Sequence, residues 1–309
     1  MESLIPRAAV IAIVIAAMCA PAHADKPAPP WLSRINMYRG MEELPALAND
    51  SALSEGAQGH AVYLIKNFSR GVRDGSASSA DIGSESSKKP FYTPGGHRVA
   101  PHSEVAFDSG EHQSQDASID KWMQGPYHRM LLLNPALQRI GYGYYCEDGL
   151  CAQVLDIEDG IARDPVEPDK EVAIEFPPAN STLSLSDLRH EEPSPLESCP
   201  GYAFPVGLPI TFEVGSFAGA KLVSYSIVKK DDASAKPIEA CGYDAYTYRN
   251  ELRSRMSAVV GTLKAFSGVV VIPRRPLEPG TYRATIVVND REYSWPFTIA
   301  PSDERAASR

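Results

Sequence analysis

Histidine and carboxylate side chains are concentrated between residues 97 and 128 of the sequence. In chain order they are His97, His102, Glu104, Asp108, Glu111, His112, Asp116 and His128. Imidazole and carboxylate groups held close together can act as general acid and base, or can bind a divalent metal ion. The sequence contains no G-x-S-x-G motif, Walker loop or G-x-G-x-x-G motif, so these groups are the main candidates for chemistry.

The stretch WMQGPYHRMLLLNPALQRIGYG, residues 122–143, predicts how one of these histidines is positioned. Gly125 and Pro126 should end the helix that contains Trp122, because proline lacks an amide hydrogen and clashes with the preceding turn. His128 then falls at the start of a new helical piece, which the following apolar residues anchor in the core. We therefore expect His128 to be held rigidly and to face a cleft.

The surrounding elements predict an α+β region. Helices are expected over residues 32–44 and about 50–67 and from Ser114 or Asp116 to Gly125, a long surface excursion over 69–101, and a hairpin of Ile140–Tyr145 with Ala152–Ile157. Helices followed by strands are typical of an α+β fold. His60 lies on the apolar face of the second helix, so we expect a hydrogen-bonded core histidine there.

Four cysteines follow the N-terminal segment: Cys146, Cys151, Cys199 and Cys241. An even number of cysteines in an exported chain favours disulfides. Cys146 and Cys151 bracket a turn between two strand-like runs, so a bond across that hairpin is the simplest pairing and leaves Cys199 to pair with Cys241. A zinc site is the alternative, but this spacing is not that of a zinc finger.

The first 24 residues predict a secretory signal peptide. Arg7 precedes an apolar run that ends in Ala22-His23-Ala24, which favours cleavage near Ala24 and a secreted or periplasmic product. No later segment is long and apolar enough to predict a transmembrane helix in the mature chain. The net charge of −9 without a basic stripe argues against nucleic-acid binding.

The mature length predicts two domains, since about 285 residues remain after residue 24 and a domain typically has about 150 residues. We expect the first domain over residues 25–160 and a Pro-rich linker with entry strands over 161–200. Short alternating strands over 201–302 predict an all-β sandwich domain of the immunoglobulin-like kind.

Several motifs together resemble the CAP superfamily, which comprises the cysteine-rich secretory proteins, antigen 5 and the pathogenesis-related proteins (SCP domain). They are N-x-x-R at Asn36–Arg39, LPALANDSALSEGAQGHA, SEV at Ser103–Val105, and the W-M-x-x-P-x-H-R string. The resemblance covers residues 30–157 and implies a three-layer α-β-α sandwich. Residues 170–300, with PLEPGTYRATIVV and SWPF, are similar to the β-rich extension of some bacterial exported CAP proteins.

The resemblance also implies a cleft lined by two histidines and two acidic residues, which binds a divalent metal in some members. His128 matches the second family histidine and Glu104 matches one glutamate. The first family histidine would fall near Gly83–Glu85, where this sequence has none. Gln124-Gly125 stands where the second glutamate is expected.

His102 is a candidate third metal ligand, because residues i and i+2 of an extended stretch point to the same side. His128, Glu104 and His102 would then form a zinc site, since catalytic zinc normally has three protein ligands. Alternatively, Glu104 and His128 form a buried polar pair that only fixes the cleft. Arg129 is expected to pair with a carboxylate or to bind a backbone carbonyl.

These expectations favour an exported CAP-domain protein that binds a ligand around Glu104 and His128. The resemblance implies a lipid or sterol, a cell-envelope component or a divalent cation as that ligand. No nucleophile accompanies the pair in the sequence, so we expect binding rather than catalysis. Two alternatives are a metal-assisted hydrolase of envelope peptide or glycan, and an adhesion or docking module that works through the β domain.

Overall fold

The computed structural model describes residues 28–109, 114–162, 173–215, 219–230 and 236–301. The predicted signal peptide with its cleavage near Ala24, the candidates Glu111 and His112, and residues 163–172 of the predicted linker lie outside the described residues. In the part of the chain that the structure describes, no helix has both the length and the apolar character needed to cross a membrane.

Seven α-helices and fourteen strands occur in the described ranges. The helices are α1 Pro30–Met41, α2 Ser51–Asp74, α3 Ser79–Ile82, α4 Pro94–Val99, α5 Gln115–Gln124, α6 Pro126–Leu132 and α7 Arg253–Ala265. The strands are β1 Ala48–Asn49, β2 Ser103–Ser109, β3 Arg139–Glu147, β4 Leu150–Asp156, β5 Ile174–Phe176, β6 Thr182–Leu183, β7 Asp187–Leu188, β8 Val206–Gly207, β9 Ile210–Glu213, β10 Leu222–Lys229, β11 Ala240–Asp244, β12 Gly268–Pro273, β13 Gly280–Val288 and β14 Arg291–Ile299.

The first four strands form one sheet in the order β1-β3-β4-β2 with helices on both faces. Val154 of β4 packs with Ala57 and Leu64 of α2 on one face. The next residue, Leu155, packs with Ile35 of α1 and Ile119 of α5 on the other face, because successive strand residues point to opposite sides. The result is the expected three-layer α-β-α sandwich.

Two glycines of the sequence IGYG allow α2 to lie directly on β3. A Cβ atom at Gly143 would lie 2.1 Å from the backbone carbon of Ala57, and one at Gly141 would lie 2.4 Å from that of Leu53. Such distances exclude any side chain, so both positions require glycine for the close approach of helix and strand.

The surface excursion expected over residues 69–101 contains more helix than predicted. Helix α2 continues to Asp74 and ends at Gly75, whose φ of 73° is the left-handed conformation typical of a helix C-terminus. Ser78 and Thr93 then cap the short helices α3 and α4 through their hydroxyl groups. Local capping residues therefore stabilise two short helices in a stretch whose composition predicted a loop.

Eight of the ten remaining strands form two four-stranded sheets, in the orders β10-β13-β14-β6 and β11-β12-β9-β5, and β7 pairs with β8 in a two-stranded sheet. The facing sides of the two four-stranded sheets share one core, in which Phe212 lies 5.9 Å from Trp295 between ring centroids. Strands β5 and β6 lie in the stretch expected as linker and entry strands, and each joins one of these sheets. The immunoglobulin-like assignment of this β-rich region stays a prediction.

Helix α7 departs from the all-β prediction for the second region. It packs on the outer side of the second sheet, where Val259 and Leu263 contact the cluster that contains Val270 and Ile272 of β12. Only these two residues of the helix are buried. The helix therefore carries a weak apolar pattern, which explains why the sequence did not reveal it.

Both predicted disulfides are present. Cys146 and Cys151 face each other across the β3–β4 hairpin, with an S–S distance of 2.04 Å. Cys199 and Cys241 are joined within the β-rich region, with an S–S distance of 2.07 Å. The zinc alternative for these cysteines is therefore wrong.

Arg129 of α6 is fully buried and makes hydrogen bonds to both regions of the chain. Its Nη1 donates to the carbonyl of Met123 at 2.7 Å, and its Nη2 donates to the carbonyl of Pro209 at 2.8 Å. The guanidinium group also lies 4.0 Å from the ring centroid of Phe176. As expected, Arg129 binds backbone carbonyls, and it does so on both sides of the interface.

We predict that Arg129→Met lowers the free energy of unfolding by about 3 kcal/mol, because it removes a buried charge that satisfies carbonyls of both regions. Urea denaturation of the full chain measures this change. Arg139→Met is the control, since Arg139 makes a surface ion pair with Asp50 worth no more than about 1 kcal/mol. Equal losses in the two variants would contradict the proposed role of Arg129.

Candidate functional site

Glu104 lies on β2 and points towards the helices α5 and α6. It is paired with Leu155 of β4, and directly paired residues of antiparallel strands share a face of the sheet. Asp108 lies on the same face four residues later and forms an ion pair with Lys121 of α5. The alternation of β2 therefore places two carboxylates of the candidate set beneath this helical layer.

His128 lies in the first turn of α6, directly after the junction formed by Gly125 and Pro126. Helix α5 ends at Gln124, as the proline predicts. The His128 Nε2 atom lies 3.2 Å from the Glu104 Oε2 atom, and the two side chains are 18% and 31% exposed, respectively. The two residues thus meet, and the pair keeps an opening to solvent.

A second carboxylate contacts the other side of the same ring. Glu191, from the segment after β7, places its Oε1 atom 2.8 Å from His128 Nδ1. The same oxygen accepts hydrogen bonds from the backbone amides of Tyr127, at 2.9 Å, and His128, at 3.2 Å. Glu191 therefore caps the N-terminus of α6, whose own N-cap residue, Gly125, has no side chain.

The two carboxylates determine the charge of the imidazole. Burial disfavours the charged ring, but the ion pairs and hydrogen bonds with Glu104 and Glu191 outweigh it and raise the pKa of His128 to about 10. Burial likewise opposes the charge of Glu104, yet the neighbouring His128 lowers the pKa of that carboxyl group below its ordinary value. At neutral pH the site is an imidazolium between two carboxylates.

His102 does not join this pair, so the expected three-residue metal set is wrong in its third member. Residues Ala100–His102 form a 3₁₀ turn before β2 begins, and the alternation of an extended strand does not apply to them. His102 Nδ1 instead lies 3.2 Å from Asp159 Oδ1. Within the described ranges, no group of three or more His, Cys, Asp or Glu side chains is arranged to hold a metal ion.

The geometry around His128 also explains why two carboxylates and a histidine do not make a metal site. Glu104 and Glu191 contact opposite nitrogens of the ring, so their oxygens lie on opposite sides of it and do not converge on one point. A metal ligand histidine must also be neutral, whereas this ring holds its proton strongly.

His60 is the expected core histidine. Its side chain is fully buried, with Nδ1 3.0 Å from Glu85 Oε1 and Nε2 2.8 Å from the carbonyl oxygen of Ile82. Glu85 also accepts a hydrogen bond from the backbone amide of Thr93 at 3.1 Å. The stretch in which the resemblance expected a histidine thus supplies a structural carboxylate.

Sequence reasoning missed Glu191. Its stretch, His190-Glu191-Glu192, carries no motif that marks it as part of the site. Sixty-three residues separate Glu191 from His128, and no periodic pattern links the two. One indirect signal was available: Gly125 has no side chain with which to cap α6, so the helix N-terminus needs an acceptor from elsewhere in the chain.

Two concavities lie away from the Glu104–His128 pair. One, of about 960 Å³, lies between the end of α1 and the start of the β-rich region and is lined by residues that include Leu44, Pro135 and Glu175. The other, of about 300 Å³, is lined by residues that include Arg274 and Tyr282. Neither lining includes Glu104 or His128.

A family model described as the cysteine-rich secretory protein family, CAP, matches residues 32–155. This match confirms the resemblance of residues 30–157 to the CAP superfamily. The match begins within α1 and ends within β4. It therefore covers almost all of the α-β-α sandwich, which we call the CAP domain. Glu191 lies outside the match, in the segment that follows the CAP domain.

Comparison with solved structures finds similar chains in several bacteria. An outer surface protein from Borrelia burgdorferi is 18% identical, with 40% of this chain and 85% of that chain covered and a TM-score of 0.28. An extracellular protein with an SCP domain from Bacillus anthracis is 19% identical, with 43% and 45% covered and a TM-score of 0.27. The copper resistance protein PcoC from Escherichia coli is 20% identical, with 40% and 94% covered and a TM-score of 0.20. No curated protein sequence matches the chain.

The charge state of His128 predicts a pH dependence of stability. A folded pKa of about 10, above the ordinary 6.5, means that the contribution is fully present below pH 6.5 and is lost as pH rises through 10. The difference in unfolding free energy between wild type and His128→Gln should therefore shrink across that window. Urea denaturation from pH 6 to 10 measures it.

His102→Gln is the matched control for this experiment, because His102 lies nearby and makes a more exposed contact with Asp159. Its difference from wild type should change less than that of His128→Gln, because solvent screens the more exposed contact. A constant difference for His128→Gln as well would show that the imidazolium is not held by its two carboxylates.

Proposed function

We propose that this is an exported protein whose CAP domain binds a polar component of the cell envelope at Glu104 and His128. The observation that carries the proposal is the 3.2 Å contact between these side chains together with their 31% and 18% exposure. The opening lets a ligand reach the charged atoms, as a binding site requires.

The charge of the site favours a ligand that donates hydrogen bonds. Two carboxylates surround one imidazolium, so the site carries excess negative charge on the side of Glu104, the more exposed partner. Ammonium and hydroxyl groups are the natural partners of such a carboxylate, and hydrogen bonds to a charged acceptor are roughly twice as strong as neutral ones. Envelope peptides and glycans carry both groups.

The same charge state disfavours the other ligand classes that the sequence suggested. A divalent cation would have to displace the proton of His128, whose pKa is about 10. A lipid chain would need an apolar groove, whereas this opening is lined by an ion pair. The metal-assisted hydrolase is disfavoured for a related reason, since a protonated ring cannot accept a proton from water at neutral pH.

Export is supported by two independent features. The sequence begins with the pattern of a secretory signal peptide, and the chain carries the disulfides Cys146–Cys151 and Cys199–Cys241. Disulfides form and persist in secreted and periplasmic proteins and are rare in the cytosol. Both features support a location in which the CAP domain can meet envelope material.

We also propose the division into a CAP domain over 25–160 and an immunoglobulin-like domain over 201–302, with residues 161–200 between them. Support comes from the two facing four-stranded sheets of the second region. An adhesion surface on this second domain is the alternative function, and binding by variants of the CAP site distinguishes the two.

Cosedimentation of the full chain with isolated peptidoglycan sacculi tests the proposal. Glu104→Gln should weaken binding by about tenfold or more, because it removes a charged hydrogen-bond acceptor worth roughly 1.5 to 3 kcal/mol. Glu55→Gln is the control, since Glu55 is an exposed residue of α2, which packs on the opposite face of the sheet.

Equal binding by wild type and Glu104→Gln would contradict a site at Glu104 and would favour the surface of the second domain. Release of soluble fragments from the sacculi by wild type would instead indicate the hydrolase.

A further inference from the structure

We propose that Glu191 is a positioning residue of the binding site, contributed by the segment after the CAP domain, which orients His128 so that its Nε2 atom faces Glu104. This inference rests on the proposed function of the Glu104–His128 pair. It assigns to the β-rich region a role in the site itself, because the CAP domain supplies only one of the two carboxylates that hold the ring.

The hydrogen bonds of Glu191 fix both the helix and the ring. One oxygen receives the backbone amides of Tyr127 and His128 and also the Nδ1 atom of the imidazole, at 2.9, 3.2 and 2.8 Å. With Nδ1 engaged, only Nε2 is left to reach the carboxylate on β2. A backbone bond and a side-chain bond to one oxygen restrict the rotation of the His128 side chain relative to its own helix.

The protein leaves space for this carboxylate by having glycine at position 125. A Cβ atom there would lie 2.6 Å from Glu191 Oε1 and 2.8 Å from its Cδ. The backbone of Gly125 has φ −76° and ψ 127°, which any residue can adopt. Glycine is therefore required at this position by the neighbouring carboxylate and not by the backbone conformation.

The segment that carries Glu191 is itself anchored to the β-rich region. Just before Glu191, Leu188 of β7 pairs with Val206 of β8. Shortly after it, the carbonyl of Ser194 accepts a hydrogen bond from the hydroxyl of Tyr248 at 3.0 Å. These contacts on both sides hold Glu191 in place from the second region.

The two carboxylate oxygens of Glu191 have different surroundings. Its side chain is 1% exposed, and its Oε2 atom is buried without a hydrogen-bond partner among the described residues. A buried acceptor without a partner is destabilising. The bonds that Oε1 makes to the amides of α6 and to the ring of His128 must offset this cost.

Two variants of the full chain test the proposal by different means. Glu191→Gln keeps the shape and one acceptor oxygen but removes the charge, and Gly125→Ala keeps the charge but displaces the carboxylate. Both should lower the apparent pKa of His128, measured by NMR titration of its ring, by about one unit or more. Both should also weaken binding to isolated peptidoglycan sacculi by about tenfold or more.

Each variant has a matched control. Glu192→Gln changes the neighbouring carboxylate, which pairs at the surface with Arg255. Gly261→Ala adds a methyl group to α7 at a position where no atom beyond the adjacent helix backbone lies within 4 Å. Neither control should shift the titration of His128 or the binding. If Glu191→Gln does not fold, Gly125→Ala still decides the question, because the displaced atoms belong to the end of a flexible side chain.

An unchanged titration of His128 in the folded variants would overturn the proposal. A lowered pKa of His128 with unchanged binding would also overturn it, because Glu191 would then affect the ring without affecting the binding site. Failure of the proposed function itself is distinguishable, since then Glu104→Gln would bind sacculi like wild type.

Discussion

The architecture around the site depends on one constraint: a charged imidazole must stay between two carboxylates that come from different parts of the chain. His128 is 18% exposed, and burying a charge is costly unless it is paired and hydrogen-bonded. Glu104 reaches the ring from the central sheet, and Glu191 reaches it from the segment after the CAP domain. The ring therefore fixes the relative positions of β2, α6 and that segment.

The residues on either side of His128 also contact the β-rich region, so the interface between the CAP domain and that region lies next to the site. The hydroxyl of Tyr127 lies 2.7 Å from that of Tyr243, and Arg129 donates to carbonyls on both sides. Three consecutive residues of one short helix thus each contact the β-rich region. The interface therefore combines these polar contacts with the apolar core that the two regions share.

Local sequence patterns predicted the elements that place His128, because a glycine-proline junction and an alternating strand act within a few residues. The pairing of His128 with Glu104 came from the resemblance to CAP proteins, since no spacing rule joins residues so far apart. Glu191 could not be predicted, because its partner is 63 residues away in another region. His102 was wrongly included because a 3₁₀ turn, which the sequence did not reveal, interrupts the assumed strand. Helix α7 was missed because only two of its residues are buried.

The most direct test of this account is the ¹⁵N chemical shifts of the two ring nitrogens of His128 in the wild-type protein at pH 8. Because the pKa of the ring is about 10, both nitrogens should carry a proton and show the shifts of an imidazolium. Shifts of a neutral ring, with one protonated and one bare nitrogen, would contradict the central claim that two carboxylates hold His128 in its charged form.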